Sequence, residues 1–72
     1  MEVLSVQISA RNQLKATITK INKGPVSTEV VLDVSGNTMA ASITTTSANN
    51  LNLNVGDNVI ALVKASSVMV MK

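Results

Sequence analysis

Apolar residues recur at every second position along most of this chain, the spacing of strands that turn one face to a core. Leu4, Val6 and Ile8 alternate with Ser5, Gln7 and Ser9 and predict a first strand. Beyond the polar corner Ser9-Ala10-Arg11-Asn12-Gln13, Leu14, Ala16 and Ile18 alternate with Lys15, Thr17 and Thr19. Asn22-Lys23-Gly24-Pro25 reads as a turn, because Gly tolerates positive φ and Pro lacks the N–H that a ladder uses. A third strand from Ser27 to Val34 sets Thr28, Val30, Leu32 and Val34 on one face and Glu29, Val31 and Asp33 on the other. Ser35-Gly36-Asn37 predicts a hairpin turn into a fourth strand, Thr38 to Ile43, with Met39, Ala41 and Ile43 inward.

From Thr44 to Asn54 the alternation lapses, and Thr46 or Ser47 is placed to cap one helical turn running through Ala48 and Leu51. Gly56-Asp57 turns the chain into Val59-Ile60-Ala61-Leu62-Val63, which is apolar on both faces. A chain of 72 residues hardly buries both faces of such a strand, so the second is expected to meet another subunit. Lys64-Ala65-Ser66-Ser67 interrupts, and Val68 to Met71 predicts a last strand. The whole predicts an all-β fold: a small OB-like β-barrel of five to six strands with one short helical turn, oligomeric, forming a single domain over residues 1–72.

Composition narrows the chemistry. The chain has no Cys, no His and no aromatic residue, so it offers no disulfide framework, no thiolate or imidazole metal ligand and no His general base. No catalytic residues and no metal-cation site are assigned, and the protein is not expected to be an enzyme. Six cations face four anions, a net charge of +2 that arises from few acids and not from a basic surface. Binders of single-stranded nucleic acid combine clustered Lys and Arg with aromatic platforms, and neither is present. No run reaches the roughly 18 apolar residues of a membrane span, and the start of the chain lacks the order of a secretory signal. These features predict a soluble cytoplasmic protein with no nucleic-acid or membrane partner.

Three polar segments stand outside the apolar alternation: Ser9-Ala10-Arg11-Asn12, Thr44-Thr45-Thr46-Ser47 and Lys64-Ala65-Ser66-Ser67. None contains a carboxylate, and two carry a lone cation beside hydroxyls and small residues. Hydroxyl and amide donors with a balancing positive charge suit a small oxyanion, which accepts hydrogen bonds and donates none. The same Ser and Thr clusters also suit caps and turns, so composition leaves both roles open.

Ser9-Ala10-Arg11-Asn12-Gln13-Leu14, followed by Lys23-Gly24 and Val26, Val30-Val31-Leu32, Val55-Gly56, and Val63-Lys64-Ala65-Ser66 with Val68-Met69, resembles the molbindin family. Its members are small molybdate- and tungstate-binding proteins of prokaryotes, similar to the C-terminal domains of molybdate-responsive regulators and of molybdate-transporter ATPase subunits. The resemblance spans nearly the whole chain. It implies an OB-like barrel assembled as a homohexamer, a trimer of dimers, with the oxyanion held between subunits. Older naming of the family invokes a molybdopterin, but a chain without aromatic residues offers a pterin no stacking surface, so the bare oxyanion is expected and no organic cofactor. Carried over by position, it assigns oxyanion binding to Ser9 and Arg11 from the first corner, Thr44 and Ser47 from the middle segment, and Lys64, Ala65 and Ser66 from the last. Ser47 equally suits capping, Asn12 is expected to pin the corner, and the stem of Lys64, following five apolar residues, is expected to be partly buried. Pro25 removes an N–H beside Lys23 and Gly24, which weighs against a second anion site there.

A tetrahedral dianion gives up its water only where several donors replace it, and charge-assisted hydrogen bonds are about twice as strong as neutral ones. Phosphate near neutral pH is partly protonated, and a pocket without carboxylates gives that proton no strong partner. Discrimination against sulfate is left to pocket size, and tungstate, nearly the size of molybdate, is expected to bind as well. The resemblance thus predicts binding and storage of molybdate or tungstate; the competing reading of the same barrel is an OB-type nucleic-acid-binding module.

Overall fold

The computed structural model describes residues 10–72, so the strand expected over Leu4 to Ile8, and Ser9, lie outside the described residues. The elements run β1 (Asn12–Lys23), β2 (Ser27–Val34), β3 (Asn37–Thr44), α1 (Thr45–Asn50) and β4 (Asn58–Val63), followed by a 3-10 turn at Ala65–Ser67. The four strands form one antiparallel sheet in the order β3-β2-β1-β4.

β1 is the longest strand and serves two neighbours in succession. Its first half pairs with β4, from Asn12 opposite Val63 to Thr17 opposite Asn58, and its second half pairs with β2, ending at Lys23 opposite Thr28. The register shifts between Ile18 and Lys20, and Thr19 Oγ1 donates to the Val31 carbonyl at 3.2 Å. Such a bulge bends its strand and raises the local twist, which lets one strand border two parts of a curved sheet. Ile18 is bonded across this bend to the loop before β4, donating to Asp57 O at 2.9 Å and accepting from Gly56 N at 2.8 Å. β1 therefore begins inside the expected polar corner, at Asn12, and takes in the first two residues of the expected turn, Asn22 and Lys23, leaving the chain to turn at Gly24-Pro25.

β2 and β3 follow the period-two reading. Val34 pairs with Asn37 around a two-residue turn in which Ser35 and Gly36 both have positive φ, at 51° and 88°. That combination matches the right-handed twist of the flanking strands. The core gathers Ala16 and Ile18 from β1, Val30 and Leu32 from β2 and Ala61 from β4. Met39, Ile43, Leu53 and Val59 pack partly buried against it.

One expectation changes, that of the last strand. Among the described residues the sheet has four strands, and Val68 to Met71 join no ladder. Val68 is extended (φ −89°, ψ 129°), and Met69, Val70 and Met71 are more than nine-tenths exposed. Alternation confers strand propensity, but a strand exists only where a neighbour completes its hydrogen bonds. β4 keeps the two-sided character read from the sequence: Ala61 is buried, while Ile60 and Leu62 are 53% and 52% exposed.

Candidate functional site

Antiparallel pairing of β1 with β4 brings the first and last polar segments to one end of the sheet. Asn12 stands opposite Val63, so Arg11 and Lys64 are the next residues outward on the two strands. Asn12 Nδ2 donates to the Val63 carbonyl at 3.2 Å, and Gln13 Nε2 donates to the Ala10 carbonyl at 3.4 Å beneath the buried Ala10. Asn12 thus pins the corner, as expected, but does so by fastening it to β4. Lys64 is extended and leads into the 3-10 turn, closed by Ser67 N to Lys64 O at 2.9 Å and Val68 N to Ala65 O at 3.3 Å. The first N–H groups of a helical turn have no partner within it, which frees those of Ala65 and Ser66 from the turn's own bonds. Arg11, Lys64, Ala65 and Ser66 are all exposed; the stem of Lys64, expected to be partly buried, finds no cover in the single chain.

Electrostatics favour an anion at this end. Among the described residues the carboxylates sit elsewhere: Glu29 accepts from Asn22 Nδ2 at 3.1 Å, Asp33 stands opposite Thr17, and Asp57 accepts from Asn54 N at 2.9 Å. Arg11 and Lys64 thus bring two positive charges to one end of the β1–β4 pair, away from the carboxylates of the described residues, a charge balance that favours a bound anion there.

The middle segment lies at the other end of β1. Thr44 closes β3 opposite Ser27, next to the Lys23–Thr28 pair that ends β1. The cap of α1 is Thr44, not Thr46 or Ser47: its Oγ1 accepts from Ser47 N at 3.1 Å and donates to Ser47 Oγ at 2.8 Å. β-Branched Thr at the strand end can adopt the extended conformation a cap requires (φ −68°, ψ 146°), and its hydroxyl then meets the first free amides. The Ser47 hydroxyl, exposed and already an acceptor, keeps its own hydrogen to donate. Lys23 Nζ donates to Asn49 Oδ1 at 2.9 Å, tying the end of β1 to α1.

Of the seven assigned residues, the chain therefore unites Arg11, Lys64, Ala65 and Ser66, sets Thr44 and Ser47 together elsewhere, and leaves Ser9 outside the described residues. The 12 residues of β1 separate the two groups. Two depressions mark the sheet surface. One, of about 820 Å³, is apolar and includes Ile18, Val30, Leu32, Met39 and Val59; the other, of about 400 Å³, includes Lys15, Thr17, Asp33 and Asn58. Neither includes an assigned residue. Period two sets Thr28 on the inward face of its strand, but no local signal points to its partly buried contact with Thr45. Among the described residues no three His, Cys, Asp or Glu side chains gather as metal ligands, and no helix is long and apolar enough to cross a membrane.

Sheet, short helix and cationic end together define a small all-β domain of OB-like build. The chain belongs to the TOBE domain family, which it matches over residues 8–70. It is 41% identical over 66 residues to a probable molybdenum-pterin-binding protein of Haemophilus influenzae, covering 90% of this chain and 96% of that one. A molybdenum transport protein, ModE, of Herbaspirillum seropedicae is 45% identical over 67 residues, 92% of this chain but 25% of its own length. The solved structure of a molybdate-binding protein from Sporomusa ovata superposes with a TM-score of 0.89 at 45% identity, over 93% of this chain and 100% of that one. The OB-like all-β architecture expected from the sequence is thereby established.

Proposed function

We propose that this chain binds molybdate, and tungstate with it, as an oxyanion at sites completed by a second copy, and that it stores or buffers the anion in the cytoplasm without catalysing a reaction. The observation that carries this is the convergence of Arg11 and Lys64 at one end of the β1–β4 pair, with the amides of Ala65 and Ser66 beside them. Similarity to a solved molybdate-binding protein, and to a relative named for binding molybdenum-pterin, supports the choice of a molybdenum oxyanion. The donor set alone is compatible with any small oxyanion. Ser9, Thr44 and Ser47 complete the set, the latter two contributed across a subunit boundary because β1 separates them from the cations within one chain. The assembly is a homohexamer, a trimer of dimers, and residues 1–72 act as one domain. No pterin is required: with no aromatic side chain there is no stacking surface for a fused ring.

Thermal unfolding with and without molybdate tests the reading. A ligand that binds only the folded state stabilises it by RT ln(1 + [L]/Kd), about 2.7 kcal/mol at a hundredfold excess over Kd. The melting temperature should rise with molybdate and with tungstate, and less with sulfate or phosphate. An unchanged melting temperature at millimolar molybdate would overturn the proposal.

A further inference from the structure

Thr28 is fully buried, and among the described residues it is the one buried polar side chain. Its Oγ1 lies 2.8 Å from Thr45 Oγ1, which in turn donates to the Gly24 carbonyl at 2.6 Å. A hydroxyl carries one hydrogen, so Thr45 spends its own on Gly24 and the contact between the two threonines runs from the Thr28 O–H to Thr45 Oγ1. The Thr45 amide adds a third tie, donating to the Val26 carbonyl at 2.8 Å. The turn that receives these bonds is itself tight: Gly24 N donates to Ser27 O at 3.0 Å, and a Cβ on Gly24 would stand 2.7 Å from that oxygen. Helix α1 spans six residues, too short to hold its place by its own hydrogen bonds. Its start is fixed where Thr45 is bolted to the β1–β2 turn, and Thr44, one residue earlier, is carried with it.

We infer that Thr28 and Thr45 are positioning residues for oxyanion binding: their hydroxyl chain, anchored on the buried Thr28, holds the Thr44–Ser47 pair in the place from which the free Ser47 hydroxyl hydrogen is donated. The inference rests on the reading of Ser47 as an oxyanion donor. Neither Thr28 nor Thr45 touches the ligand; they act through the β1–β2 turn. Replacing either by Val keeps the shape, removes the hydroxyl and leaves a buried or partly buried acceptor or donor without its partner.

Calorimetric titration of the assembled protein with molybdate, alongside melting temperatures, tests this on Thr28→Val, Thr45→Val, Thr45→Ser and Ser47→Ala. Thr28→Val and Thr45→Val should each weaken binding about tenfold, Ser47→Ala should weaken it at least as much, and Thr45→Ser, which keeps the hydroxyl, should bind within about twofold of the parent. A lowered melting temperature with unchanged affinity of the folded Val variants would make the pair purely structural and overturn the inference, while loss of affinity in Ser47→Ala would leave the oxyanion reading standing. Unchanged affinity in Ser47→Ala would overturn both the role of Ser47 and the inference built on it. Should Thr45→Val not fold, Thr28→Val decides alone, because it leaves the Thr45 bond to Gly24 in place.

Discussion

Arg11 and Lys64 stand 53 positions apart in sequence, yet each is the next residue outward from the Asn12–Val63 pair that ends the β1–β4 ladder, and no hydrophobic position requires either charge. Losing a charged donor from a desolvated hydrogen bond costs about 1.5–3 kcal/mol, roughly ten- to a hundredfold in affinity. Arg11→Ala and Lys64→Ala should each weaken molybdate binding by that range in calorimetry while shifting the melting temperature little, since both residues are exposed. Lys15→Ala removes the same charge from the body of β1 and should leave affinity within about twofold, the size of a screened long-range effect. Equal losses in all three variants would mean that net charge, not a defined pocket, attracts the anion. The resemblance singles out Arg11, Lys64, Ala65 and Ser66 from segments far apart in sequence, and the β1–β4 register sets all four at one end of the sheet. The role of Asn12 at the corner is legible in the sequence but its partner is not, and neither is the hydroxyl chain through Thr28 and Thr45, since each depends on a residue 51 or 17 positions away that no local pattern reveals.

At the scale of elements, the alternation located β2 to the residue and β3 to within one residue of each end, because one face of each is packed on the core and period two records that packing directly. It shortened β1, whose second half passes through a bulge that breaks the period while continuing the strand. It also placed the helix cap two or three residues late, since any hydroxyl in Thr44-Thr45-Thr46-Ser47 satisfies the capping preference and only the end of β3 decides among them. The turns are the most exacting elements. Gly36, at φ 88°, sits where an L side chain costs about 1–2 kcal/mol, so Gly36→Ala should lower stability by that amount in denaturant unfolding. Gly24→Ala meets backbone and not a yielding side chain, and it disturbs the turn that holds Thr45. It should cost at least as much as Gly36→Ala and, unlike it, should also weaken molybdate binding; equal affinities in the two variants would separate the turn from the site.

For the whole molecule, the half-exposed Ile60 and Leu62 of β4 and the apolar face open along the sheet imply that one copy does not bury what this sequence supplies, and the proposed site has the same shape of deficit. Its cations and its Thr44–Ser47 hydroxyls lie at opposite ends of β1, so a pocket using both takes them from different chains. Light scattering should accordingly report a mass several times 7.5 kDa. Co-refolding pairs of variants then tests the geometry of sharing. In an equal mixture of Arg11→Ala with Ser47→Ala, random pairing gives some sites an intact Arg11 from one chain and an intact Ser47 from its neighbour, roughly one quarter of all sites. Tight binding should return in that fraction. Arg11 and Lys64 border the same strand pair in one chain, so mixing Arg11→Ala with Lys64→Ala leaves every site with one defect and should recover nothing. Calorimetry distinguishes the two mixtures by the stoichiometry of the tight phase, with subunit exchange confirmed by mass spectrometry. Recovery in neither mixture would mean that each chain binds the anion alone, and recovery in the second would mean that Arg11 and Lys64 serve different chains' sites despite their place at one end of the sheet.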